Sequence, residues 1–400
     1  MANDITAFNA EYWTPTMQET FFKESVALGI ANTELRSDLK DGDTLHKPYG
    51  SYARVQTYTK GTDITVKDIT STDDTLTVGT AKVASFYVDD IDRVQNKYDT
   101  IKEFAIGAQR QLNNVLDQAV AAEYVNAGTT LSGASIGEAA GGIVMTAANT
   151  ANIFTAAGRF LNSTKRLGGD RFALIGPRML ETIQNYVGGR ETAFGEQVSM
   201  NGTVGDRFGF SLKLSNNLPF SAVLTSATQP TDGDTVTING VTFTYKTTLT
   251  GSSTLGEVLI GGSADAARAN LAKAINDNGT VDTDYSALSA ENRQLIEEAG
   301  LSATNSNAAD TLTLTGYGDI VVSETFTAAG NVWGSQTQYS LMGINKSIDL
   351  VTQVAPNVVF RPAQLRLGQY VHPWMLYGKK TFTRMQGNLV AAQFDVSSWV

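Results

Sequence analysis

The sequence predicts a mixed α+β protein that carries a small inserted α+β domain. Amphipathic helical patterns and short strand-like runs alternate along the 400 residues. This length suggests two or three domains with a buried core. Residues 225–335 contain four basic and 13 acidic residues, whereas the rest of the chain is close to neutral. Such a shift between two similar flanks predicts an inserted domain, and a block of this size can fold alone.

Residues 1–48 are predicted to form an extended arm with short helical pieces, and residues 49–92 an extended β loop. Within the loop, residues 52–58 and 64–69 alternate in a way that predicts two strands, with a turn at Lys60-Gly61. Further strands are predicted at residues 76–78 and 83–88. A ribbon this polar buries little by itself, so we expect it to pack on another part, such as a second subunit.

The strongest local pattern predicts a long helix over residues 100–127, within a segment assigned as 93–150. Apolar residues follow the spacing of one helix face, and Thr100 and Glu103 fit a capping box. Asn126-Ala127-Gly128 supplies a stop signal. At 1.5 Å per residue, such a helix would be roughly 40 Å long.

Residues 151–224 are predicted to form an α+β core to which residues 336–400 return. Helices are predicted at 151–166 and 178–187, and strands at 172–175, 208–214, 347–354, 358–367 and 369–375. Inside the insert, Asn239-Gly240 predicts a tight hairpin over 235–245, and Ser263 the N-cap of a helix that runs to Ile275. Strands are predicted there at 311–315 and 320–322.

The composition leaves little room for catalytic or metal chemistry, and no cofactor is predicted. The chain has no cysteine and only two histidines, His46 and His372. Gly133–Gly137 fits the Gly-x-Ser-x-Gly pattern, which makes Ser135 a candidate nucleophile, although loops of this composition match the pattern by chance. The acidic run at residues 89–92 is predicted to be a solvated turn before the long helix rather than a cation site.

Membrane insertion and secretion are not predicted. Met1–Thr6 has neither the basic nor the apolar part of a signal peptide, and the chain has no run of about 18 apolar residues. No basic stripe with interleaved aromatic residues predicts specific nucleic-acid binding. The acidic block would repel phosphate, so we expect it to lie away from nucleic acid.

The order of these parts resembles the major capsid protein of tailed bacteriophages, which has the Hong Kong 97-type fold. The similar segments are the N-terminal arm at 1–48, the extended loop at 49–92 that lies over a neighbouring subunit, the junction at 88–95, the spine helix with its lead-in at 93–127, and the stretches 205–219 and 376–380. The last two contain Gly209-Phe210, Ser215-Asn216-Asn217-Leu218-Pro219 and Leu376-Tyr377-Gly378-Lys379-Lys380. The remaining core would then supply the peripheral and axial domains.

The resemblance implies a structural protein rather than an enzyme. It would assemble with itself into hexamers and pentamers of an icosahedral shell around double-stranded DNA, which touches the inner face without sequence preference. A scaffolding protein, a portal and a decoration protein are implied partners, the location is the virion, and assembly takes place in the host bacterial cytoplasm. The predicted subunit contacts are Tyr58, Lys60, Lys67, Asp73 and Asp74.

Three alternatives stay open at this point. A bacterial encapsulin-like compartment shares the fold and encloses protein instead of a genome. A serine hydrolase would use Ser135. An adhesin or binding module would act through residues 225–335, although the insert also resembles surface or stabilising domains found on some coats.

Overall fold

The structure is a computed structural model that describes residues 23–37, 39, 42–66, 68–95, 100–164, 169–189, 206–251, 254–364 and 366–397. The α-helices in these ranges are α1 (Asp90–Gln95), α2 (Thr100–Ala121), α3 (Thr150–Ser163), α4 (Pro177–Gly188), α5 (Ala264–Asn276) and α6 (Ala290–Glu298).

Strands of 2 to 14 residues fill much of the remaining chain. In chain order they are β1 (Thr44–His46), β2 (Tyr49–Gly50), β3 (Ser71–Thr72), β4 (Thr75–Thr77), β5 (Thr80–Val83), β6 (Phe86–Val88), β7 (Thr129–Leu131), β8 (Arg171–Ile175), β9 (Ser211–Leu214), β10 (Pro219–Ser226), β11 (Thr235–Ile238), β12 (Val241–Lys246), β13 (Glu257–Leu259), β14 (Ser302–Ser306), β15 (Thr311–Tyr317), β16 (Val322–Glu324), β17 (Asn331–Ile344), β18 (Asp349–Pro362), β19 (Gln369–Lys380) and β20 (Leu389–Asp395).

The largest sheet has eight strands. It joins the insert (residues 225–335) to the rest of the chain, which we call the body. Its order is β14-β15-β10-β17-β20-β7, with β8 against β17 and β9 against β8. Strands β14 and β15 lie in the predicted insert, whereas β10 and β17 cross its predicted limits at residues 225 and 335. Backbone hydrogen bonds therefore run without a break from the body into the insert.

The insert also has a sheet of its own, in the order β13-β12-β11-β16. Its hairpin turns at Asn239 and Gly240, whose φ values of 50° and 83° suit a two-residue turn. The side chain of Ser263 accepts a hydrogen bond from the amide of Ala266 (3.1 Å) and so caps α5. Both local predictions for the insert are confirmed.

The predicted long helix is present but is shorter as an α-helix. Helix α2 has 22 residues and is followed by a 3₁₀ helix over Ala122–Asn126. Its α-helical length is therefore about 33 Å instead of roughly 40 Å. The side chains of Thr100 and Glu103, predicted to form a capping box, lie outside the described residues.

Helix α2 packs against a long hairpin formed by β18 and β19. The runs predicted separately at 347–354 and 358–367 belong to one strand of 14 residues, β18, with register shifts between Thr352 and Asn357. These bulges interrupt the alternation of side chains, which explains why the sequence pattern indicated two strands. Strands β5 and β6 pair with the other edge of β19.

The structure of the extended loop differs from the prediction of two strands at residues 52–58 and 64–69. Residues 52–58 and 64–66 do not form strands, and every described residue from 51 to 70 is exposed. Only β2 and β3 pair at the root of the loop. The alternating pattern predicted strands wrongly for the single chain, because a two-stranded ribbon without a packing surface is marginally stable at best.

The strand predicted at residues 208–214 begins later, at Ser211. Phe208 and Gly209 have φ values of 53° and 79°, which are incompatible with an extended strand. Phe208 instead stacks on Phe154 of α3, with ring centroids 5.2 Å apart. The left-handed turn thus places an aromatic side chain on the core.

Candidate interaction surface

The exposed loop has the register of a β-hairpin at both ends. At its root, Tyr49 pairs with Thr72 and Gly50 with Ser71. The amide of Ser51 continues this register by donating to the carbonyl of Thr70 (2.8 Å). The root therefore already has the pairing of a longer hairpin.

The tip of the loop has the same register. The amide of Thr62 donates to the carbonyl of Thr59 (3.1 Å) and closes a two-residue turn at Lys60 and Gly61. Gly61 has a φ of 88°, which a glycine adopts without steric cost. If the pairing of Tyr49 with Thr72 is continued along both strands, Thr59 lies opposite Thr62, as it does in this turn. We therefore call residues 49–72 the 49–72 hairpin.

The unpaired middle of the 49–72 hairpin exposes large apolar side chains. Val55 is 94% exposed and Val66 is 87% exposed, and the hairpin register places them opposite each other. The full set of exposed large apolar residues in this segment is Tyr52, Val55, Tyr58, Ile64, Val66 and Ile69. Apolar side chains concentrated in this way mark an interaction surface.

Arg384 fixes the root of the 49–72 hairpin to the C-terminal part of the chain. One guanidinium nitrogen donates to the hydroxyl of Tyr52 (2.9 Å) and another donates to the carbonyl of Gly50. The guanidinium also lies over the rings of Tyr49 and Tyr52, at 4.9 and 5.0 Å. The root is held in place while the tip extends into solvent.

The predicted contact residues divide between exposed and buried positions. Tyr58 and Lys60 lie at the exposed tip. Asp73 is exposed near the root, where its carboxylate contacts Nδ1 of His46. Lys67 lies outside the described residues.

Asp74 is buried and bonded within its own chain. Its carboxylate lies 2.5 Å from the ammonium of Lys380 and accepts from the amide and hydroxyl of Thr383 at 2.8 and 2.9 Å. Burial alone would raise the pKa of the Asp74 carboxyl, but the hydrogen bonds from Lys380 and Thr383 outweigh burial and lower the pKa to about 2. Asp74 therefore anchors the loop root and offers no open carboxylate.

A second apolar surface lies on the sheet that contains β19. Tyr370, His372 and Trp374 alternate with the buried Val371 and Met375, so they point to the opposite side of the strand. The side of the sheet that carries Val371 packs on α2, because Phe86, which pairs with Val371, contacts Phe104 of that helix edge to face.

The opposite side carries a row of rings, of which Tyr370 is exposed and the others are half-buried. Tyr87 lies 5.3 Å from Tyr370, and Tyr370 lies 5.9 Å from His372. Val83, which pairs with Trp374, is 62% exposed. We call the surface formed by Tyr87, Tyr370, His372 and Trp374 the aromatic face.

Ser135 does not have the surroundings of a nucleophile. It lies in a 3₁₀ helix over Gly133–Ile136, and its hydroxyl accepts from the amide of Ser132 (3.2 Å). The two histidines of the chain bond elsewhere: His46 contacts Asp73, and Nδ1 of His372 lies 2.8 Å from the hydroxyl of Ser85. The geometry therefore does not favour the hydrolase alternative.

The acidic run at residues 89–92 begins helix α1. A carboxylate oxygen of Asp89 accepts from the amide of Ile91 (2.8 Å), so residues 90–92 form the first turn of a helix instead of the predicted solvated turn. Among the described residues, no three acidic or histidine side chains are grouped so that they could hold a metal ion. In the same part of the chain, no helix combines the length and apolarity needed to cross a bilayer.

The sequence patterns did not predict the hydrogen bonds that join Asn217 to helix α2. The buried Asn217 amide donates to Asn114 (2.7 Å) and to the carboxylate of Asp117 (2.9 Å), both on α2. Burial raises the pKa of the Asp117 carboxyl, although the bond from Asn217 opposes this shift. The only available signal was the resemblance of residues 215–219 to a known stretch.

The closing strand β19 supplies two lysines to two buried carboxylates. Lys379 lies 3.2 Å from the carboxylate of Glu123, at the end of the long helix, and Lys380 bonds to Asp74. Glu123 also accepts from the hydroxyl of Thr381 (2.8 Å). The end of β19 therefore ties the spine of the body to the root of the loop.

Comparison with solved structures gave matches over nearly the whole chain. A chain of Mycobacterium phage Che8 has 14% identity and a TM-score of 0.59, covering 96% of each chain. The capsid structure of cyanophage P-SCSP1u has 12% identity and a TM-score of 0.54, covering 99% of this chain and 95% of that one. The capsid asymmetric unit of cyanophage Pam1 has 10% identity and a TM-score of 0.51, covering 99% of both.

A scan against protein-family models and a search of curated proteins found no match. At identities this low, the structural likeness establishes the fold and not the activity. The chain has the α+β fold of these phage structures, and the prediction of a Hong Kong 97-type fold is confirmed.

Proposed function

We propose that this chain is the major capsid protein of a tailed bacteriophage and that its copies assemble into an icosahedral shell. The observation that carries this proposal is the shared fold over nearly full length with two cyanophage capsid structures. The exposed 49–72 hairpin supports it, because the hairpin shows apolar side chains that the single chain leaves in water.

A second copy of the chain would supply the missing packing surface. Burying a side chain such as Val55 or Val66 contributes roughly 1.5–3 kcal/mol. That gain would favour pairing along the middle of the hairpin, whose register is already set at both ends. The contact would include Tyr58, Lys60 and Asp73 together with Lys67.

We propose that the 49–72 hairpin of one copy binds the aromatic face of the neighbouring copy. A hairpin on one copy and a sheet face on the next form a head-to-tail contact, which generates closed rings when the rotation between copies is suitable. Rings of six and five copies are the units from which an icosahedral shell is built. Contact surfaces of this kind need no catalytic residue and no cofactor.

The remaining partners belong to the same proposal. A scaffolding protein, a portal and a decoration protein would act during or after assembly in the host cytoplasm, and the location is the virion. Double-stranded DNA would touch the inner face without sequence preference. The insert, with a net charge of −9 over residues 225–335, would suit the outer face because like charges repel.

Electron microscopy of the purified chain, expressed alone and with its neighbouring reading frames, tests the proposal. We expect closed shells or flat hexameric sheets. Monomers or dimers under all assembly conditions would overturn it. Shells isolated from cells that contain a specific protein cargo and no nucleic acid would instead favour the encapsulin-like compartment.

A further inference from the structure

The insert is seated on the middle of helix α2. Asn114 and Gln118, one turn apart on that helix, donate to the carbonyl of Glu298 at 3.4 and 3.3 Å. Glu298 is the last residue of α6, where backbone carbonyls lack helical partners. The side chains of the body helix therefore cap a helix of the insert.

The same corner of the insert also holds the start of the described chain. The ammonium of Lys23 donates to the carbonyl of Tyr317 (3.1 Å), the last residue of β15. Lys23 is half-buried, and burial lowers the pKa of its ammonium, although the nearby Glu298 opposes this shift. A half-buried ammonium is costly without an acceptor, and here the insert provides the acceptor.

Gly318 makes this close approach possible. It has a φ of 113°, and a Cβ at this position would lie 2.8 Å from the carbonyl oxygen of Asn216 and 3.2 Å from the ammonium of Lys23. A larger residue would force these segments apart. The absence of a side chain at Gly318 therefore allows Lys23 to lie against the end of β15.

The N-terminal segment meets α2 immediately beside this corner. The amide of Leu28 donates to the Asp117 carboxylate (3.2 Å), and the hydroxyl of Ser25 donates to the carbonyl of Asn113 (3.4 Å). Residues 113–118 of α2 thus contact both the N-terminal segment and the insert. The two contacts share one stretch of helix.

We propose that the insert acts as an intramolecular clasp that fastens residues 23–31 onto helix α2. The clasp consists of Lys23, Asn114, Gln118, Glu298 and Tyr317. It gives the insert a role inside its own chain, in addition to any surface that it offers to a partner. The insert sets the position of Lys23 beside helix α2. This inference does not depend on the proposed shell.

Hydrogen exchange of the full-length, unassembled chain tests the clasp. In Lys23→Met the charged hydrogen bond to the insert is lost, while the apolar stem is kept. We expect the amides of Leu28 and Gly29 to exchange about tenfold faster, the size expected for the loss of one charge-assisted bond. The amide of Asn32, which donates to the carbonyl of Ile348 (2.7 Å), should keep its rate.

Lys346→Met is the matched control. Lys346 is an exposed lysine whose ammonium bonds to Glu34, outside the clasp. It should leave the exchange rates of Leu28 and Gly29 unchanged. If Lys23→Met gives the same rates as Lys346→Met and the native chain, the segment is held without the insert, and the clasp is refuted.

A second variant approaches the clasp from the helix. Gln118→Leu removes the donor to Glu298 without touching residues 23–31, and it should also speed exchange at Leu28 and Gly29. Its control is Gln353→Leu, because Gln353 likewise donates to backbone carbonyls, those of Leu39 (3.4 Å) and Gly42 (2.6 Å), outside the clasp. Unchanged rates at Leu28 and Gly29 in Gln118→Leu would show that the insert and the segment bind α2 independently.

Discussion

At the scale of single residues, charged side chains in the interior of this protein are matched by partners distant in sequence. Asp74 bonds to Lys380, and Glu123 bonds to Lys379. Arg268 is fully buried, and its guanidinium donates to the carbonyl of Ser226 and to three side chains of the insert, those of Asn305, Asp310 and the nearby Asp265. Removing one partner of a buried charged pair destabilises the protein, because the other charged group then stays buried without compensation.

Asp74→Asn should lower the free energy of unfolding by about 2 kcal/mol at neutral pH, because it removes charge-assisted bonds to Lys380 and Thr383. The folded-state pKa of Asp74, about 2, lies below its ordinary value of 3.8. Its contribution is therefore present above about pH 4 and is lost as the pH falls through 2. Urea unfolding at several pH values measures this loss.

The control for this variant is Asp73→Asn, which changes an exposed neighbour. The difference between the native chain and Asp74→Asn should shrink between pH 4 and pH 2. An equal and pH-independent effect of both substitutions would contradict the assigned role of Asp74.

Arg268→Ala should destabilise the protein by about 2–3 kcal/mol, because it removes charge-assisted hydrogen bonds made by a fully buried guanidinium. The side chain donates to Asn305 and Asp310 (both 3.1 Å) and to the carbonyl of the buried Ser226 on β10, so its loss leaves that carbonyl and Asn305 without this donor. Arg268→Lys should restore little of this stability, because one ammonium cannot replace the guanidinium fork. Tryptophan fluorescence during unfolding follows the change, since Trp333 lies in the core of the same sheet.

Lys246→Ala is the comparison for Arg268→Ala. It removes a partly exposed ion pair with Asp232 (3.4 Å), and pairs of this kind contribute at most about 1 kcal/mol. A loss of stability as small as this in Arg268→Ala would show that the buried guanidinium is dispensable.

At the scale of elements, the 49–72 hairpin has a defined register and lacks a packing surface. Its root and turn are formed, whereas its middle stays exposed. The reason is energetic, because the ladder of an isolated ribbon does not repay the conformational entropy of ordering it. A contact with a second copy would change that balance.

Val55→Asp should abolish assembly and leave the thermal unfolding of the unassembled chain unchanged. Val55 is 94% exposed in the single chain, so the substitution disturbs no internal contact. A buried, unpaired carboxylate would oppose any contact between copies. Sedimentation velocity measures whether the variant forms assemblies or stays as single chains. Leu255→Asp, at an exposed apolar position of the insert, should assemble as the native chain does.

Gly61→Val should weaken assembly by disrupting the turn of the hairpin, because a β-branched residue is strained at a φ of 88°. Gly79→Val is the matched control, since a Cβ at Gly79 meets no atom within 4 Å and its φ is not positive. Turbidity or light scattering during assembly compares the two variants. Equal assembly rates would exclude a role for the turn.

At the scale of the whole molecule, the insert and the body share one sheet. Strand β10 lies between β15 and β17, and its residues from Pro219 to Thr225 pair with β15. A cut at residue 225 would remove most of this strand. The insert therefore depends on residues that its composition does not mark as part of it.

A fragment of residues 218–338 should fold, and a fragment of residues 225–335 should be much less stable. The shorter fragment keeps β14 and β15 but loses the β10 backbone that pairs with β15. Circular dichroism during heating compares the two fragments. Equal melting temperatures would show that β10 contributes nothing to the insert and that the predicted limits describe the folding unit.

Local sequence patterns were enough to predict the features that depend on a few neighbouring residues. The Asn239-Gly240 turn and the Ser263 cap are formed by groups within three residues of each other, so a local pattern predicts them. Helices α3 and α4 agree with their apolar spacing within one to three residues at each end. The order of these elements was enough to predict the fold that the structural comparisons confirm.

The other features depend on contacts between residues that are distant in sequence. The sequence pattern of residues 52–58 is that of a strand, but a strand also requires a partner and a surface, which the single chain does not supply. Asn217 bonds to a residue 100 positions away, and the continuity of β10 with the insert rests on pairing with β15. Such contacts depend on the path of the whole backbone, because hydrogen bonding and burial act between groups that are close in space, whatever their separation in sequence.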